Sequence, residues 1–307
     1  MRSMNNQNSK VQILMSTYNG EKYLRVQMDS ILNQSWKNLE LLVRDDGSSD
    51  GTLQILHEYE EKYPNVKVYA EENVGYRKSF FKLLSMSDAP YVMFADQDDY
   101  WLPEKIEAAV VAMEKENAGD MPLMYFCQKL LVDQDLKPMS GQKLVNYKPG
   151  FNSAVIENMC SGCTVMMNRP LVEKICIHLP EHDIYHDWWC YLVACYYGKT
   201  IFDPKPYMYY RQHGNNQVGA EMDIVGQIHS KKMQLEMRKG KLKAQLSEFR
   251  EYHHGYDASK DKLVEKILST ETNLGNRLAL AFGGEMKRQN AIAQIAVRAL
   301  TLAGKIR

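Results

Sequence analysis

Three carboxylates crowd into the four residues Asp96-Gln97-Asp98-Asp99, directly after the apolar run Tyr91 to Ala95. Charges this close repel and raise one another's pKa unless a cation compensates them. Mg2+ or Mn2+ would do so, because a hard divalent ion takes oxygen ligands and needs only one or two carboxylates when a substrate phosphate completes its shell. The competing reading is an acidic turn capping a helix over Pro103 to Met113, with Asp99 or Tyr100 near its start. A cap accounts for one carboxylate but not for three. An EF-hand is excluded, since the required Gly and late Glu are missing.

Three further stretches carry related chemistry. Asp45-Asp46-Gly47-Ser48-Ser49-Asp50-Gly51-Thr52 joins carboxylates to glycines and a hydroxyl-rich helix start. A carboxylate there could accept the N–H of a nucleobase, or the stretch is an ordinary strand-to-helix loop with Asp50 or Thr52 as N-cap. His186-Asp187-Trp188-Trp189 sets Asp187 at an expected helix N-terminus: either a cap, or a general base over a sugar site with the Trp pair as an apolar platform. In Tyr210-Arg211-Gln212-His213-Gly214-Asn215-Asn216, His213 is either structural or a metal ligand.

The elements that must position these groups follow from hydrophobic periodicity. Val11 to Ser16, Leu39 to Val43, Val66 to Tyr69 and Tyr91 to Ala95 read as strands. Between them run helical patterns: Tyr23, Leu24, Met28, Ile31 and Leu32 share one face, Leu53, Ile55, Leu56 and Tyr59 open a second helix, and Arg77 to Ser85 forms a third. The alternation implies an α/β fold with a mainly parallel sheet covered on both faces. Ligands bind such sheets beyond the carboxyl ends of the strands. Those ends carry Thr17-Tyr18-Asn19, Asp45-Asp46 and Asp96 to Asp99, so the three clusters are predicted to converge. Farther on, strands are expected at Leu123 to Phe126 and Cys163 to Met167, a loop over Pro138 to Asn152, an aromatic-rich helix over Asp187 to Tyr197, and extended chain over Ile201 to Tyr210, interrupted by Pro204 and Pro206. After Val218, Lys, Glu, Met and Leu dominate, which reads as a helical C-terminal region with a boundary near Gly219.

Composition narrows the field. The 38 basic and 38 acidic side chains cancel, so no global field draws the chain to nucleic acid or an anionic membrane. Six irregularly spaced cysteines in 307 residues read as reduced thiols. Cys160-Ser161-Gly162-Cys163 lacks the second pair or His cluster of a zinc site and the βαβ start of a redox motif, and reads as structural. The polar N-terminus has no signal-type apolar segment, and no stretch approaches the ~20 apolar residues that span a bilayer. The chain is therefore expected in the cytosol.

Taken together, these residues resemble the inverting family-2 glycosyltransferases of GT-A fold. TYNGEKYL, SILNQSW, LLVRDDGSSDGT, ENVGYRKSF and FADQDDYWLPEKIE follow in that family's order over residues 11 to 107. HDWW and YRQHGNN look like the subset associated with transfer of rhamnose onto cell-surface polysaccharide. The resemblance implies a Rossmann-like nucleotide-binding half over 11–115 and an acceptor half over 116–219 within a domain spanning 1–219, followed by helices over 220–307. It places Thr17, Tyr18 and Glu21 around the nucleotide, and Asp46, with Asp45 beside it, facing the base. Asp96, Asp98 and Asp99 occupy the D-x-D position that holds the metal and the ribose or diphosphate. Asp187 takes the place of the catalytic base, and His213 a position that in some members completes the metal shell. The implied donor is a nucleotide sugar, dTDP-L-rhamnose first, and the acceptor a glycan or a lipid-linked glycan.

Two other classes compete. A nucleotidyltransferase should carry a Gly- and Arg/Lys-rich phosphate loop after the first strand, which TYNGEKYL does not offer. A catalytically silent sugar-nucleotide binding module would lack a placed base. At the C-terminus, Lys287, Asn290, Gln294, Arg298, Thr301 and Lys305 share one helix face while Ile292, Ile295, Ala299, Leu302 and Ile306 take the other. Such a helix docks on its own domain, on a second subunit of a homo-oligomer, or peripherally on the inner face of the plasma membrane, where a lipid-linked acceptor is presented.

Overall fold

The computed structural model describes residues 9–116, 119–142, 144–213 and 240–306. Strands β1 (Val11–Thr17), β2 (Leu39–Asp45), β3 (Val66–Ala70) and β4 (Tyr91–Ala95) pair in parallel, in the order β3-β2-β1-β4. Helices α1 (Glu21–Leu32), α2 (Thr52–Lys62) and α3 (Tyr76–Met86) make the crossovers. Every residue of β2 and all but one of β1 are buried, which is why these strands read as continuous apolar runs rather than alternating ones. Successive side chains still take opposite faces: Val11, Ile13 and Met15 enter one core and Leu14 the other.

Beyond β4 the sheet becomes mixed. After β5 (Tyr100–Trp101) and α4 (Lys105–Lys115) come β6 (Leu123–Val132), the short helix α5 (Phe151–Ala154), a 3-10 turn at Gly162–Thr164, β7 (Val165–Asn168), α6 (Arg169–Ile175), α7 (His186–Tyr197) and β8 (Lys199–Arg211). The order continues β4-β7-β6-β8-β5, with β7 antiparallel to both neighbours, β8 parallel to β6 and β5 antiparallel to β8. The expected interruption at Pro204 and Pro206 is a register shift inside one long strand: Asp203 pairs with Cys127 and Pro206 with Gln128, so the chain between them bulges out and Pro204 has no ladder bond to donate.

The helix α7 is buried along its whole length. A helix apolar all round needs cover on every side. The sheet supplies part, α3, α5 and α6 supply more, and the rest comes from α8 (Lys241–Tyr252) and α9 (Ala258–Leu268). Trp189 meets Phe249 edge-on at 6.0 Å, and the Tyr196 hydroxyl donates to Asp261 at 2.6 Å. Two more helices, α10 (Leu274–Phe282) and α11 (Ala291–Leu302), complete the C-terminal region, whose side chains Leu246, Phe249, Val264 and Ile267 join the same core as Trp188 and Trp189. The boundary expected near Gly219 lies outside the described residues. No described helix is long and apolar enough to cross a membrane.

Candidate active site

The carboxyl ends of β1 and β2 are laced together by side chains. Thr17 is fully buried and donates to Asp45 at 2.9 Å, and Asp45 also accepts from the Ser48 N–H and hydroxyl. Asp46, also buried, accepts from Arg44 and from the backbone N–H groups of Val74 (2.9 Å) and Gly75 (2.8 Å), clasping the β3–α3 loop. Glu21 accepts from the Gly51 N–H at 2.9 Å. Of the residues expected around the nucleotide, Tyr18 and Glu21 are exposed, while Thr17, Asp45 and Asp46 point their polar atoms into the scaffold. Gln97 joins this loop to the acidic run by accepting from the Tyr18 N–H (2.9 Å) and donating to its carbonyl (3.1 Å). A Cβ on Gly20 would stand 2.3 Å from the Gln97 Oε1, so a side chain there would displace the Gln97 amide from its bonds to Tyr18.

The acidic run divides into two groupings. Ligand atoms of Asp96, Asp99 and Cys163 lie within 4.8 Å of one another, while Asp98 turns to His213, whose Nε2 is 2.8 Å from the Asp98 Oδ2. His213 stacks on Tyr23 of α1, and the Arg211 guanidinium lies over the same ring, 4.5 Å from its centroid. Arg211 also donates its Nε–H to the Asp98 carbonyl (2.7 Å) and its backbone N–H to the Asp99 Oδ1 (3.2 Å). The strand β8 thereby delivers His213 to the end of β4. Residues Gly214, Asn215 and Asn216 lie outside the described residues.

Asp99 is fully buried, and its Oδ2 has no hydrogen-bond partner among the described residues. Burial first, then the charges of Asp96 and Asp98, push its carboxyl well above the usual range; the same burial and Asp98 bring Asp96 up to about 6. An orphaned buried carboxylate beside two others is the setting a divalent cation relieves. The oxygens of the acidic run with the His213 imidazole suit Mg2+ or Mn2+. Cys163 does not, because burial holds its thiol protonated and sulfur is a soft donor. Behind the cluster, the buried Lys105 ammonium donates to the Cys163 carbonyl and sits 3.3 Å from the centroid of the Trp101 ring; burial brings it down to about 8.

Asp187 lies in the first turn of α7 and is buried. Its Oδ2 accepts from the Gly162 N–H at 2.9 Å, and its Oδ1 from Asn158 Nδ2 at 3.0 Å and the Trp188 N–H at 2.7 Å. Burial pushes it up to about 6, against the pull of those donors and of the Lys129 ammonium. Its charge and that of Asp96 act on each other, and Lys129 faces both. A fixed carboxylate that titrates about one unit below neutrality can take a proton. Gly162 has no room for a side chain, since a Cβ would meet the His186 Nε2 at 2.5 Å.

A family model described as glycosyl transferase family 2 matches residues 12–176, which carry β1 through α6 and the acidic run. The chain belongs to this family. As a family-2 glycosyltransferase it is 30% identical over 236 residues to the dTDP-rhamnosyl transferase RfbG of Shigella flexneri, covering 68% of this chain and 75% of that protein. Among solved structures it resembles residues 1–349 of S. aureus TarS in complex with UDP-GlcNAc (TM-score 0.61, 19% identity, 96% of this chain and 81% of that one). It also resembles the mannosyltransferase PcManGT of Pyrobaculum calidifontis in complex with GDP-Man and Mn2+ (TM-score 0.55, 15% identity, 96% and 74%). These likenesses fit the α/β fold with its mixed sheet and C-terminal helices. The candidate site also draws on residues to which the sequence pattern assigns no role: Tyr23, Lys105, Lys129, Asn158, Cys163 and Arg211. One left a trace, for Lys105 falls in phase with the buried Ala109 and Met113 on α4, where a charge is out of place unless it has a buried partner.

Proposed function

We propose that this glycosyltransferase moves L-rhamnose from dTDP-L-rhamnose, with inversion, to a glycan or lipid-linked acceptor in the synthesis of a cell-surface polysaccharide. The observation that carries the reading is Asp187, a carboxylate fixed by three donors, raised to about 6 and within electrostatic reach of the acidic run. The likeness to RfbG supports rhamnose as the first donor to test. The nucleotide would lie across the carboxyl ends of β1, β2 and β4, with Tyr18 and Glu21 at its rim, Thr17, Asp45 and Asp46 shaping the loops beneath it, and Asp96 beside the ribose or diphosphate.

Asp98 and His213 would hold Mg2+ or Mn2+, with Asp99 behind them. Bound there, the ion would offset charge on the departing nucleotide diphosphate. Asp187 takes the proton of the acceptor hydroxyl as that oxygen forms its bond to the sugar C1, from the face opposite the diphosphate, and the C1–O bond to the diphosphate breaks with its electron pair. Asn158 and the Gly162 N–H keep the receiving carboxylate oriented. Nucleotide sugars are made in the cytosol, so the reaction would run there or at the inner face of the membrane. The test is a panel of nucleotide sugars assayed for Mn2+-dependent binding and slow hydrolysis. dTDP-L-rhamnose should lead, and a clear preference for another donor refutes the sugar assignment. Binding of every donor without hydrolysis or transfer would favour a silent module.

A further inference from the structure

The C-terminal helix α11 packs inward through Val297 and Leu300 together with two polar side chains. Thr301 on its polar face is fully buried, with its hydroxyl donating to the Val297 carbonyl at 2.7 Å. Gln294 is tied down as well, its Oε1 accepting from the Arg288 N–H and its Nε2 donating to the Met286 carbonyl. A second apolar stripe looks outward: Ile292 is 79% and Ile295 67% exposed. On α10, which packs against α11, Leu274 and Phe282 are likewise 64% and 71% exposed. Large apolar side chains exposed at helical spacing on two adjoining helices mark a surface that is covered in use.

The charges beside it name the cover. From Leu274 to the C-terminus the sequence holds six basic residues (Arg277, Lys287, Arg288, Arg298, Lys305, Arg307) and one acidic, Glu285, in a chain whose charges balance only when taken whole. A cleft of about 820 Å3 opens between α11, the segment 284–289 and the segment 146–153; Lys148, Lys287, Arg288 and Arg298 line it, and no acidic side chain does. Glu157, close by, is already bound by Arg288 at 3.2 Å and by the Gln289 N–H at 3.0 Å. Apolar side chains beside a cationic cleft fit an anionic lipid surface, with acyl chains meeting the isoleucines and phosphates meeting the cleft. A second copy fits poorly, because a two-fold contact through this face would set cations against cations.

We infer that α10 and α11, with the cleft beside them, form a docking surface for anionic phospholipid membranes. The surface is wired to the base. Arg288 donates to the Ile156 carbonyl at 2.9 Å and pairs with Glu157, and the next residue, Asn158, holds Asp187. A membrane-borne acceptor would therefore be presented close to the segment that orients the carboxylate, a consequence that rests on the proposed function, whereas the docking surface itself does not.

The test is flotation of the full chain with vesicles of phosphatidylcholine alone or with about one third phosphatidylglycerol. The wild type should float with the anionic vesicles only, and less so as salt rises. Ile292→Gln with Ile295→Gln should abolish flotation. Lys287→Glu with Arg298→Glu should weaken it at least tenfold, since each basic residue near such a surface contributes about fivefold. All four side chains are exposed, so unchanged circular dichroism and melting midpoints would confirm that the variants fold. Equal partition onto both vesicle types, variants that float like the wild type, or a dimer that the isoleucine variant dissolves would each overturn the inference. Binding is read without turnover, so a wrong donor assignment leaves the result intact.

Discussion

Asp187→Asn tests the assignment of the base most directly, and the structure sets the size of the effect. The two side chains have nearly the same shape. The asparagine carbonyl would keep the pair of donors now on Oδ1, Asn158 Nδ2 and the Trp188 N–H, leaving its amide N–H facing the Gly162 N–H, now 2.9 Å from Oδ2. That donor–donor contact should cost about 1–3 kcal/mol of stability, or a few degrees in melting temperature, so the variant remains folded. Loss of a general base costs about 10²–10⁴ in rate. The two effects separate cleanly: nucleotide binding should stay within about threefold, while kcat for transfer falls by at least about 100-fold. Asp187 must be ionised to accept a proton and titrates at about 6. The wild-type rate should therefore rise with pH through about 6 and level off above it, falling about tenfold per unit below it, while the residual rate of the variant should lack that limb. Transfer of radiolabelled sugar, measured from pH 5 to 8 at saturating Mn2+, reads both. A variant that keeps its rate within about threefold, or keeps the limb, would refute the role of Asp187 as base.

Asp98→Asn and His213→Ala should each weaken Mn2+ binding at least about tenfold by calorimetry, and unchanged affinity would remove that residue from the metal site. Gly162→Ala drives a methyl against His186 and moves the N–H that helps keep Asp187 ionised. The acid limb of the rate profile should then shift to higher pH with a melting point below that of the wild type; a profile like the wild type's would mean that the N–H does not act on the base. Lys105→Met removes the buried cation behind Asp96 and Asp99, leaving Lys129 as the cation that acts on them and the Cys163 carbonyl without its donor. It should destabilise the metal-free protein by about 3–5 kcal/mol, a deficit that Mn2+ narrows, whereas a variant as stable as the wild type would show that Lys105 offsets no charge there.

What the sequence made legible was whatever repeats within a few residues. Strands β1 to β4 and helices α1 to α3 announce themselves because each buries a periodic face, and the strand-end rule then brings Thr17, Asp46 and Asp96 to one edge without knowledge of any contact. The two-residue strand β5 has no pattern of its own, for it exists through pairing with Tyr209 and Met208 more than a hundred positions away. The strand β6 runs past Phe126 to Val132 because β8 extends alongside it. The same limit hid the partners of the acidic run. Lys129 and Cys163 reach the acidic run through the fold alone, and Tyr23 became the platform for His213 and Arg211 only once β8 crossed the end of α1.

The C-terminal helices show why pattern fixes a face but not its direction. Periodicity divides α11 into a polar stripe with Arg298 and Thr301 and an apolar stripe with Ile292 and Ile295, yet the packing turns a third face inward: Val297, Leu300 and Thr301 go in, while Ile292 and Arg298 stay out. Core burial at about 25 cal/mol per Å2 would favour turning Ile292 and Ile295 inward as well. The neighbourhood explains the choice: Met286 and Ile306 are buried at either end of α11, while Gln294 and Thr301 find hydrogen-bond partners on the inner side, so little is lost by turning the isoleucines out. The same C-terminal region meets a need at the base. Because α7 is apolar on every side and carries Asp187 at its start, it needs cover all round, part of which α8 and α9 supply, and Glu248 of α8 fixes the approach to Asp187 by accepting from the N–H groups of Glu181 and His182 at 2.8 Å. Helices that are remote in sequence from every motif of the site thus determine how rigidly its carboxylate is held.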